Sequence, residues 1–369
     1  MRLLCTVRLY YHHIGRETNN TTIGKTEEMH CGAVVNGRNR RLILGVGRNF
    51  AARSFSSSSS PLSDHECFIK EVAKAEPPQH LNQLISIFTA RGKSIVSPGA
   101  KQGLLPLTIP LVRMSPGSSI ALLRWPTARP SMEMPVVEVQ KHGVWFLANN
   151  VDQFIHRILV EEDISKPVES SQVIFDAAGE AGKKLYSKGD FARSELMDLD
   201  LYLLRKVGLF PDSLERKVIR HIENGDHVSA LVAAEFYTKR GNFPGFARPF
   251  AFNAKVLLKL GRSLEAKDAA RGALKSSWWT LGCRYEEIAR IAELGEEQIV
   301  QYKEKVTGEG RQRDISRGKP RAQASYDEAG LLLDLASLEG TWDESLERVA
   351  QCYKDAGLND MANFVLYRD

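Results

Sequence analysis

The chain has 369 residues, 43% hydrophobic and 26% charged, which is enough for one large or two ordinary domains with real cores. No apolar run approaches 18 residues, which argues against a membrane-spanning helix. The net charge of +5 invites a nucleic-acid reading, but residues 1–63 hold nine of the 50 basic and three of the 45 acidic residues; the rest carries 41 basic against 42 acidic and lacks the basic stripe that phosphate binding requires.

From Met29 to Ser63 there is no Asp or Glu, while Arg38, Arg40, Arg41, Arg48 and Arg53 are spread along the stretch and Ser56 to Ser60 crowd its end. This composition predicts an organelle transit peptide over 1–63, and the serine run leans towards the plastid. The first 28 residues, with Glu17, Glu27 and Glu28, have no targeting character, so Met29 is a candidate start. The sequons at Asn19 and Asn20 have no secretory context. Gly24-Lys25-Thr26 lacks the first glycine of a phosphate loop and any preceding strand.

Residues 64–103 read as a polar linker with one amphipathic helix, Leu81 to Ala90, whose Leu81, Leu84, Ile85 and Phe88 share a face. A small antiparallel β segment over 104–148 follows. Its strands are predicted at Leu104 to Arg113, Ser118 to Trp125, Met134 to Gln140 and Val144 to Ala148, with turns at Ser115-Pro116-Gly117 and His142-Gly143.

The change to helix comes at Asn149-Asn150, after which Val151, Phe154, Ile155, Ile158 and Leu159 recur at three- and four-residue spacing and must pack on the sheet. Residues 149–369 read as an α-helical repeat domain, so the fold class is mainly α, with helical hairpins preceded by a small antiparallel sheet. Gly189, Gly225 and Gly261 are 36 residues apart, and each is followed five positions later by a small residue: Ser194, Ala230 and Ala266. That is the logic of a tetratricopeptide-like hairpin, best seen in Ala254, Leu257, Ala266, Ala270 and Ala273. The repeat's signature Trp and Pro are missing, and Gly340/Ser345 and Gly357/Ala362 keep the offset but not the period. An irregular helical domain with glycine caps is the alternative.

Nothing in the chain organises a reaction. The acidic neighbours Glu161/Glu162/Asp163, Glu286/Glu287 and Glu296/Glu297 read as solvated faces, and His156, between Ile155 and Ile158, as a structural histidine. Cys5, Cys31, Cys67, Cys283 and Cys352 have no metal or redox spacing, and the last two read as buried reduced thiols. No catalytic residue, metal or cofactor is expected.

Binding material is present instead. Arg124, Trp125, Pro126, Arg129 and Pro130 form a stiff loop between strands, Trp278 and Trp279 close the best repeat, and Phe243 to Phe250 makes a second aromatic corner. Trp and Arg are the residues most enriched at interface hot spots. Trp278 and Trp279 fit an interface or a core equally, whereas the Arg124-Trp125 loop reads as an interface. On that reading Trp125→Ala weakens binding and spares stability.

The stretches ALLRWPT, MEMPVVEV, NNVDQFIHRILVEED, KVGLFPD, SSWWTLG, LASLEGTWDESL and the ending NFVLYRD, within Leu105 to Asp369, resemble the plant family named for chloroplast ATP synthase biogenesis. The resemblance implies a nucleus-encoded assembly factor of the chloroplast stroma that binds the catalytic β subunit of the coupling factor while the α/β ring is built. It carries over no catalytic or cofactor residue. The competing reading is a plastid RNA-binding helical-repeat protein acting on ATP synthase transcripts, against which the neutral body stands.

Overall fold

The computed structural model describes residues 61–369 apart from 115–116, 129–131, 166–167 and 240, and apart from the side chains of 61–63 and 168–170. The predicted transit peptide lies almost wholly outside these residues. Where a linker with one helix was expected, two helices stand: α1 (Pro61–Glu71) and α2 (Leu81–Ala90). Phe68 and Ile69 of α1, and Leu81, Leu84, Ile85 and Phe88 of α2, are buried in the main core. The sparse apolar residues of α1 gave no periodic signal because their partners come from the far end of the chain. Phe68 meets Phe364 and Tyr367 edge-on, with ring centroids 6.3 and 5.2 Å apart.

The strands are β1 (Thr108–Met114), β2 (Ser118–Leu123), β3 (Val136–Gln140) and β4 (Gly143–Ala148), antiparallel in that order. All four were predicted. The first begins four residues late because Leu104 to Leu107 form a turn in which the Thr108 amide and hydroxyl both donate to the Leu105 carbonyl. Pro110 sits beside a bulge in β1, an edge strand, where a missing donor is tolerated. The strands are buried on both faces almost throughout, which is why they read as continuous apolar runs rather than alternations.

α3 (Val151–Ser165) packs against β4 with Val151, Phe154, Ile155, Ile158 and Leu159, as the spacing required. The remaining elements are helical: α4 (Val168–Leu185), α5 (Asp190–Arg193), α6 (Leu199–Tyr202), a π turn (Leu203–Val207), α7 (Pro211–Glu223), α8 (His227–Tyr237), α9 (Arg248–Lys259), α10 (Ser263–Ala273), a 3-10 turn (Trp278–Thr280), α11 (Tyr285–Ala292), α12 (Glu297–Lys305), α13 (Gly308–Ser316), α14 (Arg321–Glu339), a second 3-10 turn (Asp343–Ser345), α15 (Leu346–Asp355) and α16 (Asn359–Leu366).

Residues 99–101 close on the last helix and the C-terminal residue. The amine of Lys101 is buried, donates to the Phe364 carbonyl at the end of α16 at 2.7 Å and lies 3.8 Å from the centre of that ring; burial holds it well below its usual pKa. The Asp369 amide donates to the Gly99 carbonyl at 3.2 Å. The β3–β4 turn is held by the same half of the molecule, since Trp342 Nε1 donates to the Lys141 carbonyl at 3.0 Å.

A fully buried ion pair joins the helices to one another and to the sheet. Arg248 of α9 donates from Nε and Nη2 to the two carboxylate oxygens of Glu215 of α7, each at 2.8 Å, and its guanidinium lies 4.6 Å from the Trp145 ring of β4. Breaking one partner of such a pair leaves a buried charge uncompensated. Arg248→Ala is therefore expected to lower unfolding stability by about 3–5 kcal/mol, whereas Arg262→Ala, which breaks an exposed pair with Glu265, costs about 1 kcal/mol or less. Urea denaturation of both variants checks the contrast, and equal losses would contradict it.

Candidate partner-binding surface

The aromatic and arginine residues that the sequence offered as an interface form an internal seam. Arg124 Nε donates to the Ala73 carbonyl at 2.5 Å and Nη1 to the Trp125 carbonyl at 2.9 Å, so two of its three nitrogens are bonded within the fold. The half-buried Trp125 ring meets Phe246 edge-on at 5.6 Å and Trp279 at 5.3 Å, and a methyl group on Gly245 would sit 2.9 Å from it. Trp278 and Trp279 are 1% and 3% exposed. The Trp278 ring stacks on Tyr302 at 4.5 Å, and its indole N–H donates to the Leu274 carbonyl at 3.1 Å. Trp279 is pressed on the β3–β4 turn so closely that a Cβ on Gly143, whose φ is 142°, would lie 2.1 Å from its carbonyl oxygen. Trp125 and Trp279 join the helices to the sheet and Trp278 fills a second core among the helices, so the interface expectation is corrected for Trp278 and Trp279 and for the buried faces of Arg124 and Trp125. Pro126 is half-buried beside them, and Arg129 lies outside the described residues.

One acidic cluster needs a second correction. Glu162 is buried and bonded to Arg91 at 2.7 Å, and Asp163 accepts from the Tyr186 hydroxyl at 2.6 Å and the Gly189 amide at 2.8 Å. They are braces between helices. Glu286, Glu287, Glu296 and Glu297 are exposed, as read, with Glu287 accepting from Lys255 at 2.7 Å. The half-buried His156 has its pKa lowered by burial, with its ring 5.9 Å from that of Tyr186. Cys352 is buried and Cys283 half-buried, both as free thiols.

The surface that the sequence did not single out comes from the repeat itself. α7 and α8 form one hairpin and α9 and α10 the next, and α9 also packs on α8. Gly225 and Gly261 take left-handed φ values of 73° and 76° at the two corners. Each corner closes with the same bond, the Asp226 amide to the His221 carbonyl and the Arg262 amide to the Leu257 carbonyl, at 2.8 and 2.9 Å. The following helices bury their small faces, Ala230 and Ala234 in α8 and Ala266, Ala270 and Ala273 in α10. Gly189, the third member of the period, opens only the four-residue α5.

On the opposite side the two corners present large apolar groups at equivalent places. Val228 and Leu264, each three residues past its glycine, are 75% and 80% exposed. Ile222 and Leu258, each three residues before it, are half-buried and exposed. α8 adds exposed Val232, so that HVSALVAAEFY is apolar on nearly every side, a pattern normal for a buried helix. A single exposed leucine carries no information, but the same placement in two successive hairpins makes these corners the candidate surface. Exposed Glu223 and Asp226 flank the first corner, and exposed Lys259 and Arg262 the second. Among the described residues no group of three or more His, Cys, Asp or Glu could hold a metal, and no helix is long and apolar enough to cross a membrane.

Comparison with known proteins accounts for nearly all of the described chain. Three family models match in succession: PAB N-terminal over 63–206, PAB middle domain over 211–298 and PAB C-terminal domain over 299–367. The Arabidopsis thaliana protein named "Protein IN CHLOROPLAST ATPASE BIOGENESIS, chloroplastic" is 58% identical over 322 residues, 87% of this chain and 95% of its own length. No solved structure matches.

Seam and corner residues should respond oppositely to truncation. Trp278→Ala is expected to cost about 3–5 kcal/mol of stability and Trp125→Ala about 2–3 kcal/mol, while Val228→Ser and Leu264→Ser stay within about 0.5 kcal/mol of the parent. Thermal and urea melts of the four variants check this, and a stable Trp125→Ala would return that ring to the candidate interface.

Proposed function

The chain belongs to the PAB family, and from that premise we propose that it is an assembly factor of the chloroplast ATPase, holding an unassembled subunit against its two apolar hairpin corners. The observation that carries the reading is the pairing of Val228 with Leu264, large apolar groups left 75% and 80% exposed at equivalent places in successive helical hairpins. A subunit awaiting its neighbours exposes apolar surface, and a second protein that covers this surface keeps it from associating wrongly. The partner carried over from the sequence resemblance is the catalytic β subunit. The work is binding, without a chemical step, carried out in the stroma after residues 1–63 have served as a transit peptide. The near-neutral balance of the body gives the RNA-binding alternative no support.

Charge placed on the corners should remove the activity without harming the fold. Val228→Glu with Leu264→Glu is expected to weaken capture of the isolated β subunit by at least about thirtyfold, the loss of one hot spot of about 2 kcal/mol. The check is a pull-down of each isolated soluble-head subunit on immobilised parent and double variant. Capture of a different subunit by the parent, lost in the variant, would move the partner and keep the role. Capture of none, or equal capture by both, would overturn the proposal.

A further inference from the structure

A second recognition feature lies beside the first corner and does not rest on the identity of the corner's partner. Between α6, the π turn and α7 there is a cleft of about 250 Å³. Its floor is apolar: Leu201 and Leu204 are half-exposed in it, and Phe210 and Leu214 are buried beneath. This volume is below the range of about 300–1,000 Å³ usual for small-molecule sites, and suits one bulky side chain better than a cofactor.

The charges around the cleft are unevenly spent. Asp198 is paired with Arg220, and Asp200 with Arg216 at 2.6 Å and Arg220 at 3.3 Å. His221 lies 3.4 Å from Asp226. Lys217, exposed on the rim, makes no ion pair among the described residues. The two aspartates that line the cleft, Asp198 and Asp200, are thus each paired with arginine, and Lys217 is the lining charge left over.

The floor is built in an unusual way. Leu203–Val207 is a π turn closed by the Gly208 amide donating to the Leu203 carbonyl at 2.8 Å, and such turns recur at functional sites. The cleft also spans the junction between the PAB N-terminal and middle matches, which end at 206 and begin at 211. Met197, 97% exposed, stands one residue before Asp198 of the rim. At its other end the cleft reaches His221 and Asn224, next to the glycine of the first corner.

We propose that this cleft binds a linear acidic–apolar peptide segment of a partner protein, seating one bulky apolar side chain on Leu204 and Phe210 and pairing the neighbouring carboxylate with Lys217. Binding is non-covalent, by burial of the apolar group with one ion pair at the rim.

The test is methyl NMR on the full chain with labelled leucines, titrated with acetylated, amidated Phe-Glu and Phe-Lys dipeptides as probes. The Phe-Glu probe is expected to shift the Leu201, Leu204 and Leu214 methyls, with about fivefold tighter binding than Phe-Lys, as one exposed ion pair allows. Lys217→Glu, at an exposed position, should reverse that order. No shift at these methyls with either probe, equal binding of the two, or an order unchanged in Lys217→Glu would each overturn the proposal. None of these outcomes bears on capture at the corners.

Discussion

The arrangement depends on one buried guanidinium. Arg248 grips both oxygens of Glu215, which also accepts from the Tyr237 hydroxyl at 3.1 Å, and Arg248 faces the rings of Trp145 and Phe252. α7, α8, α9 and β4 are therefore fixed by a single set of charge-assisted bonds in a dry environment. A pair of this kind gains little net stability over apolar packing, but it tolerates no sliding: a shifted helix would leave a charge without its partner. The orientation of the first hairpin to the second, and of both to the sheet, is set there.

The seam of Trp125, Phe246 and Trp279 packs around that point, with Phe146 meeting Phe243 and Phe246 edge-on at 5.2 and 5.0 Å. Aromatic and arginine material is thus consumed in joining one part of the chain to another. The exposed apolar groups of the two hairpins are aliphatic: Val228, Val232, Leu258 and Leu264, on helices whose positions the buried pair determines. A rigid mount matters to such a surface, because exposed aliphatic groups gain affinity only when they meet a partner without further ordering.

Much of this was legible in the sequence. The four strands declared themselves through β-branched runs such as Val136-Val137, and α3 through its spacing. The 36-residue comparison found the glycines and small residues of two true hairpins, while the third copy at Gly189 opens only the short α5. The seam was misread because Trp, Arg and Pro mark any tightly packed junction, and nothing local tells a junction within the chain from one between chains. Val228 and Leu264 were within reach, since carrying the same comparison three residues past each glycine finds them. α1 and Lys101 were not, because their partners Phe364 and Tyr367 lie more than 260 residues away and no short window contains both. The π turn at Leu203–Val207 left no trace either, its residues being ordinary helix formers.

The central claim is that a partner is met at the hairpin corners while the aromatic seam stays internal. Amide hydrogen exchange along the chain, alone and with the isolated soluble-head subunits of the chloroplast ATPase, tests it most directly. The account predicts added protection over 222–232 and 258–264, with 124–128 and 243–248 already protected in the free chain and unchanged. Added protection confined to 124–128 and 243–248, with the corners still exchanging freely in the complex, would contradict it.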